Sequence, residues 1–224
     1  MIRTPVSGWP GVMYEFAMTA FATLFVIVDP IGQVPIFMAL THRQSPSTRK
    51  RTAFRAIVLA GMIMLGFALT GEFFLRLLGI SLPAFRIAGG ILLLLVSIDM
   101  ILARQSGIRS ATEEETEEAE DRKDVAIIPL AIPLIAGPGA ITSVILLMGQ
   151  AQGNLVSSSL VLLLILVVLL ICLIAFLFAT RLMTLLGVTG VNVVGRLAGI
   201  VLAALAVQFL IDGIAAVIPK MMTG

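Results

Sequence analysis

Twice along this chain an apolar stretch long enough to cross a bilayer is broken near its middle by proline and glycine. The first break reads Asp29-Pro30-Ile31-Gly32-Gln33-Val34-Pro35 and the second Gly137-Pro138-Gly139-Ala140. Each break leaves backbone N–H and C=O groups without helical partners. In hydrocarbon such groups cost several kcal/mol each, so a broken span survives only where protein surrounds it or a wet cavity receives it. Paired breaks at corresponding places in two halves of a chain are the sequence signature of a transport site.

The rest of the chain agrees with a membrane setting. Of 224 residues 59% are hydrophobic and only 12% charged, and the mean hydropathy is +1.10, outside the range of soluble domains. At about 20 residues per crossing, six spans are expected: 14–40, 53–78, 85–103, 126–148, 158–180 and 194–218. They form one membrane domain over 1–224 with no room for a second folded unit. The start has no continuous apolar core followed by a small-residue cleavage site, so a removable signal peptide is not expected. One long connection stands out, Arg104 to Asp124, with the acidic run Glu113 to Asp121. A solvated linker joining two halves is its default reading, over a cation-binding or partner-binding segment.

Lysine and arginine positions set the expected orientation. Arg43, Arg49, Lys50, Arg51, Arg55, Arg104, Arg109, Arg122, Lys123, Arg181 and Arg196 fall on one side, and Arg3, Arg76, Arg86 and Lys220 on the other. Both termini should therefore face out and the acidic linker should face the cytoplasm.

The halves resemble copies of each other. Arg86-Ile-Ala-Gly-Gly opens the third span and Arg196-Leu-Ala-Gly-Ile opens the sixth, and both breaks fall in the first span of their half. Each half has an odd number of spans, so a second copy enters the membrane from the opposite side. The expected fold is all-α: a polytopic membrane protein of six transmembrane helices in two inverted three-helix repeats, about 14–103 and 126–218, with the first helix of each broken at mid-membrane.

The breaks suggest a chemistry. A helix resuming after Pro138 and Gly139 offers free N–H groups and its positive dipole end to a carboxylate, with Ala140, Thr142 and Ser143 in its first turns. Asp29 can ionise, Gly32 admits a close backbone or ligand, and Gln33 supplies a donor and acceptors. These groups suit a small zwitterion, with Asp29 or freed carbonyls for its ammonium. A carboxylate near mid-membrane costs at least roughly 2.5 kcal/mol, so Asp29 should face the interior, where coupling to protons is open to it. The competing reading for each proline is a kink without ligand contact. Pro129 and Pro133 are expected only to bend the fourth span. Gln208 and Asp212, one turn apart, read equally as an interior polar stripe with a coupling role or as a contact between helices. Glu72 with Arg76 and Asp99 with Arg104 read as ion pairs near span ends, Arg86 and Arg196 as anchors of span ends. Ala88-Gly89-Gly90 and Ala198-Gly199 read as surfaces for close helix packing.

Other chemistries are disfavoured. The single histidine, His42, and single cysteine, Cys172, cannot form a metal cluster or a disulfide, and Cys172 reads as a small packing residue. No phosphate-binding Gly-x-x-x-x-Gly-Lys motif appears. Ser143 and Thr142 have no histidine or lysine within the spans to activate them, so no enzyme, no cofactor and no nucleic-acid partner is expected.

The segment Leu24-Phe-Val-Ile-Val-Asp29-Pro30-Ile-Gly32-Gln-Val-Pro35-Ile-Phe, with Pro129-Leu-Ala-Ile-Pro133-Leu-Ile-Ala-Gly137-Pro138-Gly139-Ala-Ile, resembles the MarC family of bacterial inner-membrane proteins. Arg86-Ile-Ala-Gly-Gly and Val207-Gln208-Phe-Leu-Ile-Asp212-Gly fit the same pattern, and the likeness runs from about residue 14 to 218. The resemblance implies six spans in a LysE-like transporter superfamily, a bacterial inner-membrane location and, for some members, transport of small neutral amino acids such as glycine and alanine. It also implies Asp or Asn before the first proline, which argues against an indispensable carboxylate at Asp29. The expected function is thus a secondary transporter of small neutral amino acids, exporting or reversible, with a proton or sodium ion as candidate coupling ion and homo-oligomerisation open. The alternatives are an exporter of drugs, organic acids or inorganic ions on the same scaffold, and a membrane scaffold that transports nothing. A drug path calls for an aromatic-lined cavity, yet Trp9 and Tyr14 sit where interfacial anchoring explains them.

Overall fold

A computed structural model describes residues 9–102, 126–151 and 154–222. The acidic linker and the partner proposed for Asp99, Arg104, lie outside the described residues. Those described are helical and contain no strand. The elements are α1 (Trp9–Val28), α2 (Gln33–Leu40), α3 (Pro46–Leu77), α4 (Leu82–Leu102), α5 (Ala126–Ile135, π-helical), α6 (Pro138–Gln150), α7 (Leu155–Leu177) and α8 (Ala179–Met222). Five stretches are long and apolar enough to cross a membrane: Met13–Leu40, Pro46–Leu77, Leu82–Leu102, Leu155–Leu177 and Ala179–Ile218. The expected fourth span, read as broken at Gly137-Pro138-Gly139, consists of two short pieces, α5 and α6, on either side of residues 136–137.

Local chemistry explains where the helices start. Ser45 caps α3, its Oγ accepting the Thr48 N–H at 3.3 Å, and Pro46 occupies the first turn where no N–H is needed. Asn154 caps α7, accepting from Val156 and Ser157. The sequence reading placed a connection near residues 180–194. The chain there is helical from Ala179, and the only interruption is Gly187, with φ 64° and ψ 175°. That backbone is open to glycine at no steric cost, so one residue does the work expected of a loop.

The two halves are interleaved rather than side by side. α3 packs on α5, α6 and α7; α1 packs on α6, α7 and α8; α4 packs chiefly on α8 and also on α6. Glycines set the closest approaches. A Cβ on Gly90 would lie 2.9 Å from the Ala206 carbonyl oxygen, one on Gly199 would lie 2.9 Å from Met100 Cβ, and one on Gly213 would lie 2.7 Å from Ile87 Cγ1. As the numbers rise on α8 they fall on α4, so these helices run antiparallel. By the same test α4 is antiparallel to α6: Gly149 abuts Leu82, and Gly89 abuts Thr142. At the α2–α7 contact Phe37 and Phe176 stack with ring centroids 4.4 Å apart, both fully buried.

Candidate functional site

The first break is built by Asp29 and Pro30. Proline lacks an N–H and disfavours helical backbone in the residue before it. Asp29 accordingly leaves the helix at φ 51°, in the left-handed region. Aspartate tolerates that region because its short side chain can bond nearby backbone, and Asp29 Oδ1 accepts the Gly32 N–H at 3.1 Å. A Cβ on Gly32 would stand 2.1 Å from Asp29 Oδ2. Only glycine fits beneath the carboxylate. The main chain then closes through Gln33 N–H to Asp29 O at 3.1 Å, and α2 begins.

The second break is built by prolines and glycines of the other half. Pro129 and Pro133 deny α5 two amide donors, and the segment winds as a wide π-helix that ends with Ala136 N–H donating to Ala131 O at 2.9 Å. Winding, not merely bending, is the outcome for this segment. Gly137 precedes α6 in extended backbone, Pro138 opens the helix, and no side chain caps its N-terminus.

Gln33 joins the two. Its Nε2 donates to the Val28 carbonyl at the end of α1 and to the Leu134 carbonyl at the end of α5, the latter at 3.1 Å. Both amide hydrogens are committed to carbonyls, so the orientation of the carboxamide is fixed and its Oε1 is left as an acceptor. That oxygen is buried and has no hydrogen-bond partner among the described residues. Two hydroxyls share its condition, Thr23 Oγ1 and Ser143 Oγ, on side chains that are fully buried. Short connections make α1 and α4 run the same way, and α4 opposes α6, so α1 opposes α6. Ile27 lies against Gly139; Thr23 is four residues before the one and Ser143 four residues after the other, the spacing that an antiparallel pair of helices brings toward a common level.

The other residues singled out from the sequence divide into two groups. Asp29, Pro30, Gly137, Gly139, Ala140 and Thr142 are buried around the junction, while Gly32 is partly exposed and Pro138 is exposed. Thr142 turns its methyl toward α4, where a Cβ on Gly89 would meet it at 2.2 Å. Gln208 and Asp212 lie elsewhere. They do share a face, with Gln208 Nε2 donating to Asp212 Oδ1 at 2.7 Å. Gln208, however, is exposed on the outside of α8, so an interior role for this pair is corrected. The inner face of α8 is taken by the apolar contact with α4. Glu72 and Arg76 form the expected pair, at 2.8 Å on an exposed surface. Thr23 was missed by sequence reasoning. Its only signal was a hydroxyl in an otherwise apolar run one and a half turns before Asp29.

These features define an all-helical, multi-pass membrane protein whose two interrupted helices meet in its interior. The chain belongs to the MarC family of integral membrane proteins, whose model matches residues 14–218. It is 38% identical over 200 residues to a UPF0056 membrane protein of Methanocaldococcus jannaschii, covering 89% of this chain and 96% of that one. The UPF0056 membrane protein YvbG of Bacillus subtilis is 32% identical over 207 residues, covering 92% and 98%. YhcE of Escherichia coli is 34% identical over 208 residues, covering 90% and 93%. No solved structure matches the chain.

Proposed function

We propose that the protein is a secondary transporter of small neutral amino acids of the glycine and alanine class, exporting or reversible. One observation carries the reading: among the described residues three buried oxygens have no partner, Gln33 Oε1 at the junction of the breaks and Thr23 Oγ1 and Ser143 Oγ on the two helices that flank it, α6 having an uncapped N-terminus. A buried polar group left unmade costs roughly 1–3 kcal/mol, and a ligand that visits the site removes that cost. The N-terminal amides of α6 suit the carboxylate of a zwitterion. Gln33 Oε1, an acceptor with no donor, suits its ammonium. This assigns the ammonium to Gln33 rather than to Asp29, whose carboxylate holds the turn. Close packing at Gly139, where a Cβ would stand 3.0 Å from Leu93 Cδ2, favours cargo with a very small side chain.

Two interleaved inverted repeats are part of the proposal. In support, exchanging the halves maps the contacts of α3 with α5 and α6 onto those of α7 with α1 and α2. It likewise maps α4 with α6 onto α8 with α2. The equivalent helices α4 and α8 are antiparallel, as inversion requires. Alternating access then follows from exchange of the two halves' conformations.

Uptake of labelled glycine and alanine into proteoliposomes, with and without a proton or sodium gradient, tests the reading, with Ser143→Ala as the decisive variant. Removing an unpartnered hydroxyl should leave thermal stability unchanged or slightly higher, while lowering the apparent affinity for cargo by about 3- to 10-fold, the worth of roughly 1 kcal/mol. Absence of transport by correctly folded protein would refute the amino-acid reading. Full activity of Ser143→Ala would remove this hydroxyl from the site.

A further inference from the structure

The outward face of α8 carries a polar group at a depth where lipid cannot satisfy it. Gln208 lies midway in sequence between Arg196 and Lys220, the cations that bracket the span, which puts it about 18 Å of helix from each. It is exposed, and among the described residues its hydrogen-bond partner is Asp212 on its own helix. One N–H of the carboxamide is used there. The second N–H and Oε1 remain, together with the Asp212 carboxylate, on a surface otherwise formed by Val201, Ala204, Val207, Ile211 and Ile214.

The spacing of that surface is specific. Leu197, Val201, Ala204, Gln208, Ile211, Ala215 and Ile218 follow one another at intervals of four and three residues, and every one is exposed. Gly199, Leu202, Ala206, Phe209 and Gly213, on the opposite side, are buried and form the contact with α4. Alternate steps of four and three are the pattern of a helix that packs along a second helix, with a single polar residue in the seam fixing register and copy number. Exposed apolar residues alone mean nothing in a bilayer, since lipid covers them. A carboxamide at mid-depth is different, because only another protein group can complete its hydrogen bonds.

We propose that this face of α8 is the interface with a second copy of the same chain. Copies inserted in one orientation are related by a two-fold axis along the membrane normal, so their α8 helices run parallel and residues of equal number meet. Gln208 then faces Gln208 of the other copy. A carboxamide is both donor and acceptor and therefore complements itself across such an axis. Asp212, bonded to the same amide, holds it in the orientation that leaves its remaining N–H and Oε1 for the partner. Ala204 and Ala215 above and below let the two backbones approach.

The test is made on the full chain in liposomes of phosphatidylethanolamine and phosphatidylglycerol, with Cys172 replaced by Ala and single cysteines placed along α8. Oxidative cross-linking should be strong at positions 204, 208 and 211 and weak at 203 and 205. Fluorescence transfer between labelled chains should report a dimer whose association constant falls about tenfold in Gln208→Leu. Leucine is at ease on a lipid-facing surface, and circular dichroism checks that this variant remains folded. A monomer at all protein-to-lipid ratios, cross-links centred on another helix, or a dimer unmoved by Gln208→Leu would each overturn the proposal.

Discussion

At the scale of single residues, the first break depends on a bargain between Asp29 and Gly32. The backbone at Asp29 is left-handed, a region costly for most side chains and worst for β-branched ones. The carboxylate offsets that cost by accepting the Gly32 N–H. Asparagine shares both properties, so Asp29→Asn should keep the fold and lower thermal stability by no more than about 0.5 kcal/mol. Asp29→Val has neither property and should lose on the order of 1–3 kcal/mol, read as a fall of the unfolding midpoint in detergent. The same pair of variants separates geometry from charge in the transport assay. If Asp29→Asn folds and still transports, the acid serves the turn. If it folds and transport loses its gradient dependence, the carboxylate carries the coupling. Sequence reading singled out Asp29, Gly32 and Gln33, and offered either Asp29 or freed carbonyls to the ammonium of a ligand. What it could not supply was the third dimension: nothing in the order of residues says that Gln33 reaches the Leu134 carbonyl, 101 positions away, or that its Oε1 is thereby left over.

At the scale of elements, glycine has opposite meanings at different places on similar helices. Gly66 lies mid-way along α3 with nothing within 4 Å of where a Cβ would be, whereas a Cβ on Gly90 would meet the Ala206 carbonyl at 2.9 Å. Gly66→Ala should be neutral or stabilise by up to about 1 kcal/mol by restricting the unfolded chain. Gly90→Ala should destabilise by about 1–3 kcal/mol, because backbone and not a flexible side chain must give way. Thermal melts of the two purified variants, measured side by side, check the signs. Unchanged stability in Gly90→Ala would mean that the α4–α8 contact is looser than the structure places it. The small-residue pattern at Gly89, Gly90 and Gly199 was legible as helix packing because close approach has no other cheap solution in a membrane. Element boundaries were less legible. Residues 180–194 look like a connection by composition, with Arg181, Thr184, Gly187, Thr189, Gly190 and Asn192, yet the non-helical backbone there narrows to Gly187, with helix on either side of it. The π-helical winding of α5 was likewise beyond reach, because proline spacing says that a regular helix fails without saying which irregular one replaces it.

At the scale of the whole molecule, the principal contacts run between the halves. Within a half, only α7 packs appreciably on α6 and on α8. A linear reading finds two similar halves but gives no hint that they thread into one core, since similarity along a chain is equally compatible with two bundles placed side by side. The consequence is that neither half has a hydrophobic interior of its own: the buried set that includes Leu24, Met64, Leu93, Leu146, Ile165 and Leu202 draws on both. Chain continuity between them should then be dispensable once the fold has formed. A protease site inserted between Glu113 and Glu114, cleaved after membrane insertion, should leave the two fragments co-purifying as one particle with the transport activity of the intact chain. Either fragment expressed alone should fail to accumulate. Fragments that separate cleanly after cleavage, each retaining helical content and resisting proteolysis, would mean that the halves are autonomous, and the interleaved core, with the junction of Gln33 and Leu134 that depends on it, would have to be abandoned.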